Sequence, residues 1–89
     1  MKRTVSIIVS GKVQGVFFRQ STKEKARSLS ITGEVSNKKD GTVHVIATGE
    51  SDAIDQLIDW CKRGPERAEV EGVEVREEEE VVFESFLIV

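Results

Sequence analysis

The amino-acid sequence predicts an α+β fold in which two helices cover one face of an antiparallel β-sheet. Three observations support this class. Segments with the two-residue alternation of strands are interleaved with two segments of helical spacing, a strong hairpin signal joins the second and third strands, and no repeat or low-complexity segment interrupts the order. The order is β-α-β-β-α-β followed by an extra C-terminal strand, which is the arrangement of a ferredoxin-like sandwich.

The first strand and the first helix are predicted from their residue patterns. The strand is expected at about residues 4–10, where apolar and polar residues alternate. The helix is expected at residues 20–29, which are rich in Lys, Glu, Ala and Arg and lack β-branched runs. Its apolar stripe is thin, with spacings of four, four and three residues: Phe18, Thr22, Ala26 and Leu29.

A hairpin is predicted next. Its first strand begins near Gly33, in the segment TGEVSN. The following KKDGT is a turn, because Asp40-Gly41 places a glycine where the backbone needs a positive φ angle. The returning strand, TVHVIATG, is expected to present three apolar side chains on one face: Val43, Val45 and Ala47.

The second half of the chain predicts one helix and two strands. Ser51 is expected to cap the helix, and Gly64-Pro65 to end it. The apolar stripe of this helix comprises Ile54, Leu57, Ile58 and Cys61, with Trp60 at its edge. The strands are AEVEGVEVR, with a bulge at Gly72, and VVFESFLIV. The glutamates at 77–80 are expected to form a solvated turn between them.

The composition indicates one small domain, residues 1–89, which we expect to be a monomer. Charged residues make up 33% of the chain, and the net charge is −3. This balance argues against general nucleic-acid or membrane binding, since both need a net basic surface. The single cysteine, Cys61, cannot form an internal disulfide, and the N-terminal segment is too short and too polar for a signal peptide. We therefore expect a cytoplasmic protein.

The segment GKVQGVFFR, residues 11–19, lies between the first strand and the first helix. A glycine-bearing loop there exposes unpaired backbone N–H groups at the positive end of the helix dipole, which favours anion binding. Gly15 lets the chain curl, and Arg19 can hold a phosphate with two parallel hydrogen bonds. These residues alone also fit an ordinary turn with a solvated arginine, instead of an anion-binding loop. The nucleotide-binding phosphate loop does not match, because no Lys-Ser or Lys-Thr follows Gly15.

Two stretches of the sequence resemble the acylphosphatase family. GKVQGVFFR is similar to the family signature G-x-V-Q-G-V-x-F-R, and TGEVSNKKDGTVHVIATG is similar to its second signature, G-x-V-x-N-x-x-D-G-x-V-x-V-x-x-x-G. Thr22 and Ala26 also fit the helix pattern of the family. The similarity runs without a gap from about Val5 to Pro65.

The resemblance implies hydrolysis of the carboxyl–phosphate anhydride of small acyl phosphates, without a metal or an organic cofactor. It implies that Arg19 binds the phosphate and that Asn37 positions the attacking water. The cradle would be completed by five backbone amides: Gly15, Val16, Phe17, Phe18 and Arg19. Inorganic phosphate or sulfate would bind as a product or an analogue. No nucleic-acid or membrane partner is expected.

The chain departs from the family pattern at Ser30, Glu34 and Ser36. Ser30 stands where a glycine would suit a left-handed helix end. The family often has a basic residue at the position of Ser36, and we expect Lys38 and Lys39, or Lys12, to offset its absence. Neither proposed catalytic residue is lost.

Two other functions fit the same elements. One is a module that binds phosphate without turning a substrate over. The other is an RNA-binding domain, which the lack of aromatic residues on the central strands and the negative net charge disfavour. A metal or catalytic role for His44 is not favoured, because no ligand partners are spaced around it. Phe17 and Phe18 are expected to be hydrophobic anchors, with Phe18 the better core candidate.

Overall fold

The computed structural model describes residues 1–89 and contains five strands and two helices. In chain order these are β1 (Lys2–Lys12), α1 (Phe18–Ser28), β2 (Thr32–Asn37), β3 (Val43–Glu50), α2 (Ser51–Cys61), β4 (Glu69–Glu78) and β5 (Phe86–Ile88). The predicted order of elements is therefore confirmed. Neither helix is long and apolar enough to cross a membrane.

The strands form one sheet in the order β4-β1-β3-β2-β5. The pairs β1–β3, β1–β4 and β2–β3 are antiparallel, whereas β5 lies parallel to β2. α1 packs against β2 and β5, and α2 packs against β1 and β3. The ferredoxin-like α+β fold is confirmed, and the extra strand extends the sheet at the edge formed by β2.

The core lies between the helices and the sheet. Alternate residues of β1 and β3 are buried there, as the sequence predicts: Val5, Ile7, Val9, Val43, Val45 and Ala47. The ring of Phe18 packs against that of Trp60, with centroids 5.4 Å apart. Burial raises the pKa of the Cys61 thiol to about 12, as expected for a core residue on the apolar face of α2.

The hairpin between β2 and β3 closes at the predicted turn. The Gly41 N–H donates to the Lys38 carbonyl at 3.1 Å, and the Lys38 N–H donates to the Thr42 carbonyl at 2.9 Å. Gly41 has a left-handed φ of 93°. The hydroxyl and the backbone N–H of Thr42 donate to Asp40 Oδ1, and these bonds lower the pKa of that carboxyl. The turn therefore holds the chain immediately after Asn37.

The predicted cap of α2 is wrong. The helix begins at Ser51 itself, after an extended Glu50, and no side chain caps it. Ser51 Oγ instead accepts a hydrogen bond from Arg3 Nη1 at 3.2 Å. The same guanidinium pairs with Asp55 at 2.8 Å and with Glu77 at 2.6 Å. The serine hydroxyl thus belongs to a network that joins β1, α2 and β4.

The C-terminal region also differs from the prediction. Glu77 and Glu78 are paired with β1 as part of β4, not in a solvated turn. β5 is only three residues long. Ahead of it, the Val81 N–H donates to Thr4 Oγ1 at 3.1 Å, and Thr48 Oγ1 donates to the Val81 carbonyl at 2.7 Å. The backbone N–H and carbonyl of Val81 are therefore paired with threonine hydroxyls rather than with a neighbouring strand.

A bulge interrupts the pairing of β1 with β4, next to the predicted position. Ser10 lies opposite Gly72 and Gly11 lies opposite Val70, so the extra residue is Glu71 rather than Gly72. A bulge increases the local twist of a strand pair. This one lies close to the point where the chain leaves β1 for the loop that precedes α1.

Candidate active site

The candidate site is a cavity of about 360 Å³ between the loop after β1, the first turn of α1 and the end of β2. Eight residues line it: Val13, Gly15, Phe17, Phe18, Arg19, Gln20, Asn37 and Ile88. The fold therefore brings Arg19 and Asn37 to one cavity, although they lie far apart in the chain. These are the two side chains to which the resemblance gives catalytic roles.

The loop between β1 and α1 curls through two left-handed residues. Gly15 has a φ of 74° and Phe17 has a φ of 64°. A Cβ added at Gly15 would meet no atom within 4 Å, so the positive φ, rather than crowding, accounts for the glycine. Val16, between them, is only 4% exposed. Its buried side chain anchors the loop to the core.

The main chain of this loop offers a series of N–H donors. None of the N–H groups of residues 15–20 donates to a backbone acceptor, and the first such bond runs from the Ser21 N–H to the Phe17 carbonyl at 3.0 Å. The donors lie at the N-terminus of α1, where the helix dipole is positive. Left-handed turns in such a loop are typical of backbone concavities that bind anions.

Arg19 lies in the first turn of α1, and its side chain is exposed. It takes part in none of the five salt bridges of the protein. No acidic side chain lines the cavity, so none competes with a bound anion for its guanidinium. Arg19 is therefore available for a two-pronged contact with a phosphate.

Asn37 is the last residue of β2 and lies on the same face as the fully buried Val35, as strand alternation predicts. Its Oδ1 is buried and accepts no hydrogen bond. An unpaired buried acceptor costs about 1–3 kcal/mol, so its retention calls for an explanation such as a functional role. Because Asn37 also lines the cavity, its amide is placed to bind water there.

Gln14 is a site residue that the sequence reasoning did not single out. Its Nε2 donates to the Lys38 carbonyl at 2.8 Å and to the Thr42 carbonyl at 3.0 Å. These bonds join the loop that carries the amides to the turn that follows Asn37. The only signal in the sequence was the presence of Gln14 inside the first signature.

The two phenylalanines of the loop have different surroundings. Phe18 is 2% exposed and lies in the core, which confirms the prediction. Phe17 is 73% exposed, so the expectation that it anchors the loop is wrong. Its backbone is the left-handed residue before α1, and this geometry directs the chain so that only the second ring enters the core.

Two of the three departures from the family pattern, at Glu34 and Ser36, lie on the other face of β2. Glu34 and Ser36 line a second cavity, of about 340 Å³, together with Lys38 and His44. Strand alternation puts this cavity on the sheet face that the helices leave uncovered. Lys38 therefore does not line the cavity of Arg19. Nowhere do three or more His, Cys, Asp or Glu side chains come together in an arrangement suited to a metal ion.

Comparison with known sequences identifies the family of this chain. The family model described as Acylphosphatase matches residues 5–88. An acylphosphatase of Rubrobacter xylanophilus is 53% identical over 76 residues, which cover 85% of this chain and 69% of that protein. An acylphosphatase of Methylococcus capsulatus is 48% identical over 77 residues, which cover 86% of this chain and 83% of that protein.

Solved structures give the same result. An acylphosphatase from Coxiella burnetii superposes with a TM-score of 0.96 at 40% identity, covering 99% of this chain and 93% of that one. An acylphosphatase from Bacillus subtilis superposes with a TM-score of 0.94 at 32% identity, covering 100% and 99%. Full-length HypF in a phosphate- and nucleotide-bound form matches all of this chain with 12% of its own length, at a TM-score of 0.90 and 26% identity. The chain belongs to the acylphosphatase family.

Proposed function

We propose that this protein is an acylphosphatase that hydrolyses small acyl phosphates to a carboxylate and inorganic phosphate, with Arg19 and Asn37 as its catalytic residues. The observation that supports this most directly is the composition of one cavity. Arg19, Asn37 and a loop of unpaired backbone amides all border it. A phosphoryl group held there meets donors on one side and an orienting amide on the other.

The phosphoryl group is bound by the loop. The amides of Gly15, Val16, Phe17, Phe18 and Arg19 donate to its oxygens, and the Arg19 guanidinium adds two charge-assisted hydrogen bonds. In phosphoryl transfer, negative charge spreads over the three equatorial oxygens in the transition state. Donors already held in place by the fold stabilise that charge without reorganising.

Asn37 orients the attacking water. Its carboxamide can accept a hydrogen bond from a water molecule and donate one to it. The water oxygen forms a bond to phosphorus while the bond from phosphorus to the acyl oxygen breaks. The acyl oxygen leaves with the electron pair as a carboxylate, which is a good leaving group.

The proton of the attacking water passes to a phosphoryl oxygen of the substrate. Asn37 is neutral and cannot act as a general base. The cavity lining includes no His, Cys, Asp, Glu or Lys side chain, so Arg19 is its only ionisable group. This composition favours proton transfer to the substrate itself.

The domain of residues 1–89 acts as a cytoplasmic monomer, needs no cofactor, and binds inorganic phosphate or sulfate as a product or an analogue. It has no nucleic-acid or membrane partner. The charge of −3 is consistent with the absence of a nucleic-acid partner.

A phosphate-binding module without turnover is the second candidate. It is considered because the HypF structure that matches this chain over 12% of its own length is a phosphate- and nucleotide-bound form. The two candidates predict the same binding of inorganic phosphate and differ in whether an acyl phosphate is hydrolysed.

One assay tests the proposal. The purified protein is incubated with acetyl phosphate in the presence of a chelator, and release of inorganic phosphate is followed. We expect hydrolysis by the wild type and losses of at least about a hundredfold in Arg19→Ala and Asn37→Ala. Arg63→Ala, which removes an exposed arginine after α2, is the matched control and is expected to retain activity.

The two candidate functions give different results. Arg19→Ala should also weaken the binding of inorganic phosphate, whereas Asn37→Ala should leave it nearly unchanged. Full activity in both variants would refute the assigned roles. A folded wild type that binds phosphate but releases none from acetyl phosphate would support the binding module.

A further inference from the structure

We infer that Gln20 is a further catalytic residue, whose side-chain amide donates a hydrogen bond to the carbonyl oxygen of the acyl group and so stabilises the departing carboxylate. This inference rests on the proposed function and deepens it. Gln20 directly follows Arg19 in the first turn of α1 and lines the same cavity as Arg19 and Asn37. It is the one polar side chain of that cavity to which neither the phosphate nor the water gives a role.

The acyl group carries one polar atom that neither the amide cradle nor Asn37 binds. The phosphoryl oxygens meet the loop amides and Arg19, and the attacking water meets Asn37, which leaves the carbonyl oxygen of the acyl group without a donor. When the bond from phosphorus to the acyl oxygen breaks, the electron pair is shared between the two oxygens of the carboxylate. Negative charge therefore grows on the carbonyl oxygen, and a donor there binds the transition state better than the substrate.

The amide of Gln20 has one N–H group in use and one that is free. Its Nε2 donates to Glu24 Oε2 at 3.1 Å, one turn further along α1, and this is the one hydrogen bond of the side chain. An amide nitrogen carries two N–H groups. The bond to Glu24 therefore holds the nitrogen end of the amide and leaves its second N–H for a substrate in the cavity.

The place of Gln20 in the helix would also suit a capping role, which its side chain does not perform. Counted from Phe17 as the N-cap, Gln20 is the third residue of α1, where a glutamine or glutamate often turns back to the N–H of the N-cap residue. Here the amide bonds Glu24 instead, and the Phe17 N–H has no backbone partner either. The amide of Gln20 and the N–H of Phe17 are thus both left for a ligand.

A neutral amide fits this position better than a carboxylate does. A glutamate in the first turn would gain from the helix dipole, but its charge would repel the phosphoryl group. The first turn of α1 holds no acidic residue at all. A glutamine provides a donor beside the phosphate site without adding negative charge to it.

The test compares a substrate that has an acyl carbonyl with one that has none. The value of kcat/KM is measured for acetyl phosphate and for p-nitrophenyl phosphate, whose leaving group has no carbonyl oxygen next to the breaking bond. The wild type is compared with Gln20→Leu, which removes the donors and keeps much of the size of the side chain. Gln56→Leu, on the exposed face of α2, is the matched control.

We expect Gln20→Leu to lower kcat/KM about tenfold for acetyl phosphate, which corresponds to about 1.4 kcal/mol, and less than about twofold for p-nitrophenyl phosphate. The affinity for inorganic phosphate should stay the same, since the cradle and Arg19 are retained. Gln56→Leu should match the wild type with both substrates. If Gln20 only pairs with Glu24 to support the helix, the ratio of the two kcat/KM values stays constant. A constant ratio therefore overturns the inference.

Two phosphonates separate this inference from the proposed function. In acetonylphosphonate a CH2 group replaces the bridging oxygen of acetyl phosphate, and propylphosphonate lacks the carbonyl as well. Their dissociation constants report the contact even if the wild type hydrolyses no acetyl phosphate, a result that refutes the proposed function alone. Tighter binding of acetonylphosphonate that is lost in Gln20→Leu supports the inference, and equal binding of the two by the wild type overturns it. If Gln20→Leu does not fold, Gln20→Met takes its place.

Discussion

Gln14 Nε2 lies 2.8 Å from the carbonyl oxygen of Lys38 and donates a hydrogen bond to it. Through this bond, and a second one to Thr42, the loop that carries the unpaired amides is fastened to the turn that follows Asn37. The two halves of the site come from different elements. Gln14 makes the side-chain hydrogen bonds that join them directly, and a displacement of about 1 Å can cost a hundredfold in rate.

We therefore predict that Gln14→Met, which keeps the length of the side chain but removes its donors, lowers kcat by at least about tenfold. The KM for acetyl phosphate should change less, since the amides and Arg19 are retained. Steady-state kinetics measure both. Gln56→Met, on the exposed face of α2, is the control, and equal kcat values for the two variants would remove any positioning role for Gln14.

Asn37→Ala should abolish turnover without destabilising the fold. Its buried Oδ1 accepts no hydrogen bond, so the substitution removes a polar atom that already lacks a partner. We expect the free energy of unfolding to stay within about 1 kcal/mol of the wild type, or to rise. Urea denaturation measures it. If the variant loses several kcal/mol of unfolding free energy, Asn37 stabilises the hairpin and is not retained for function.

Ser30→Gly should stabilise the protein. Ser30 follows α1 with a left-handed φ of 58°, which a glycine adopts without steric cost. The expected gain is about 1 kcal/mol, or a rise in Tm of about 4–8 °C for a domain of this size. Ser28→Gly, two residues earlier and inside the helix, should instead lower the stability and the Tm. A fall in Tm for both variants would contradict the assignment of strain to Ser30.

Acid should remove the stabilisation that Arg3 provides. Its hydrogen bonds to Glu77 lower the pKa of that carboxyl below its ordinary value of 4.5. A carboxyl whose pKa is lower in the folded state stabilises the fold above its unfolded pKa, and this contribution is lost as the pH falls through the folded pKa. The network that joins β1, α2 and β4 should therefore weaken as the pH falls below 4.5 and through the lowered pKa of Glu77.

The check compares the wild type with Arg3→Gln. We expect the wild type to be more stable at about pH 7 and the difference to shrink at a pH below the lowered pKa of Glu77, where its carboxyl is protonated. Urea titrations at the two pH values measure the difference. If the two proteins differ in stability by the same amount at both pH values, Arg3 acts through packing rather than through its charge.

Much of the fold could be predicted because its signals are local. The alternation in β1 and β3, the Asp40-Gly41 turn and the stripes of both helices depend on residues close together in the chain. The left-handed end of α1 at Ser30 was also expected, and the structure shows it there. The proposed roles of Arg19 and Asn37 came from resemblance to a family, not from these local patterns.

By itself, the sequence determined the order of elements, the buried faces and the family, since periodicity, turn residues and two signatures are properties of neighbouring residues. Tertiary structure alone decided that Arg19 and Asn37 share a cavity, that Gln14 links its two sides and that Ile88 reaches it from β5. The tertiary structure also explains why Ser51 does not cap α2 and why Phe17 lies outside the core. In each of these cases the outcome depends on contacts between elements distant in the chain, and such contacts form only when the sheet and its helices pack together.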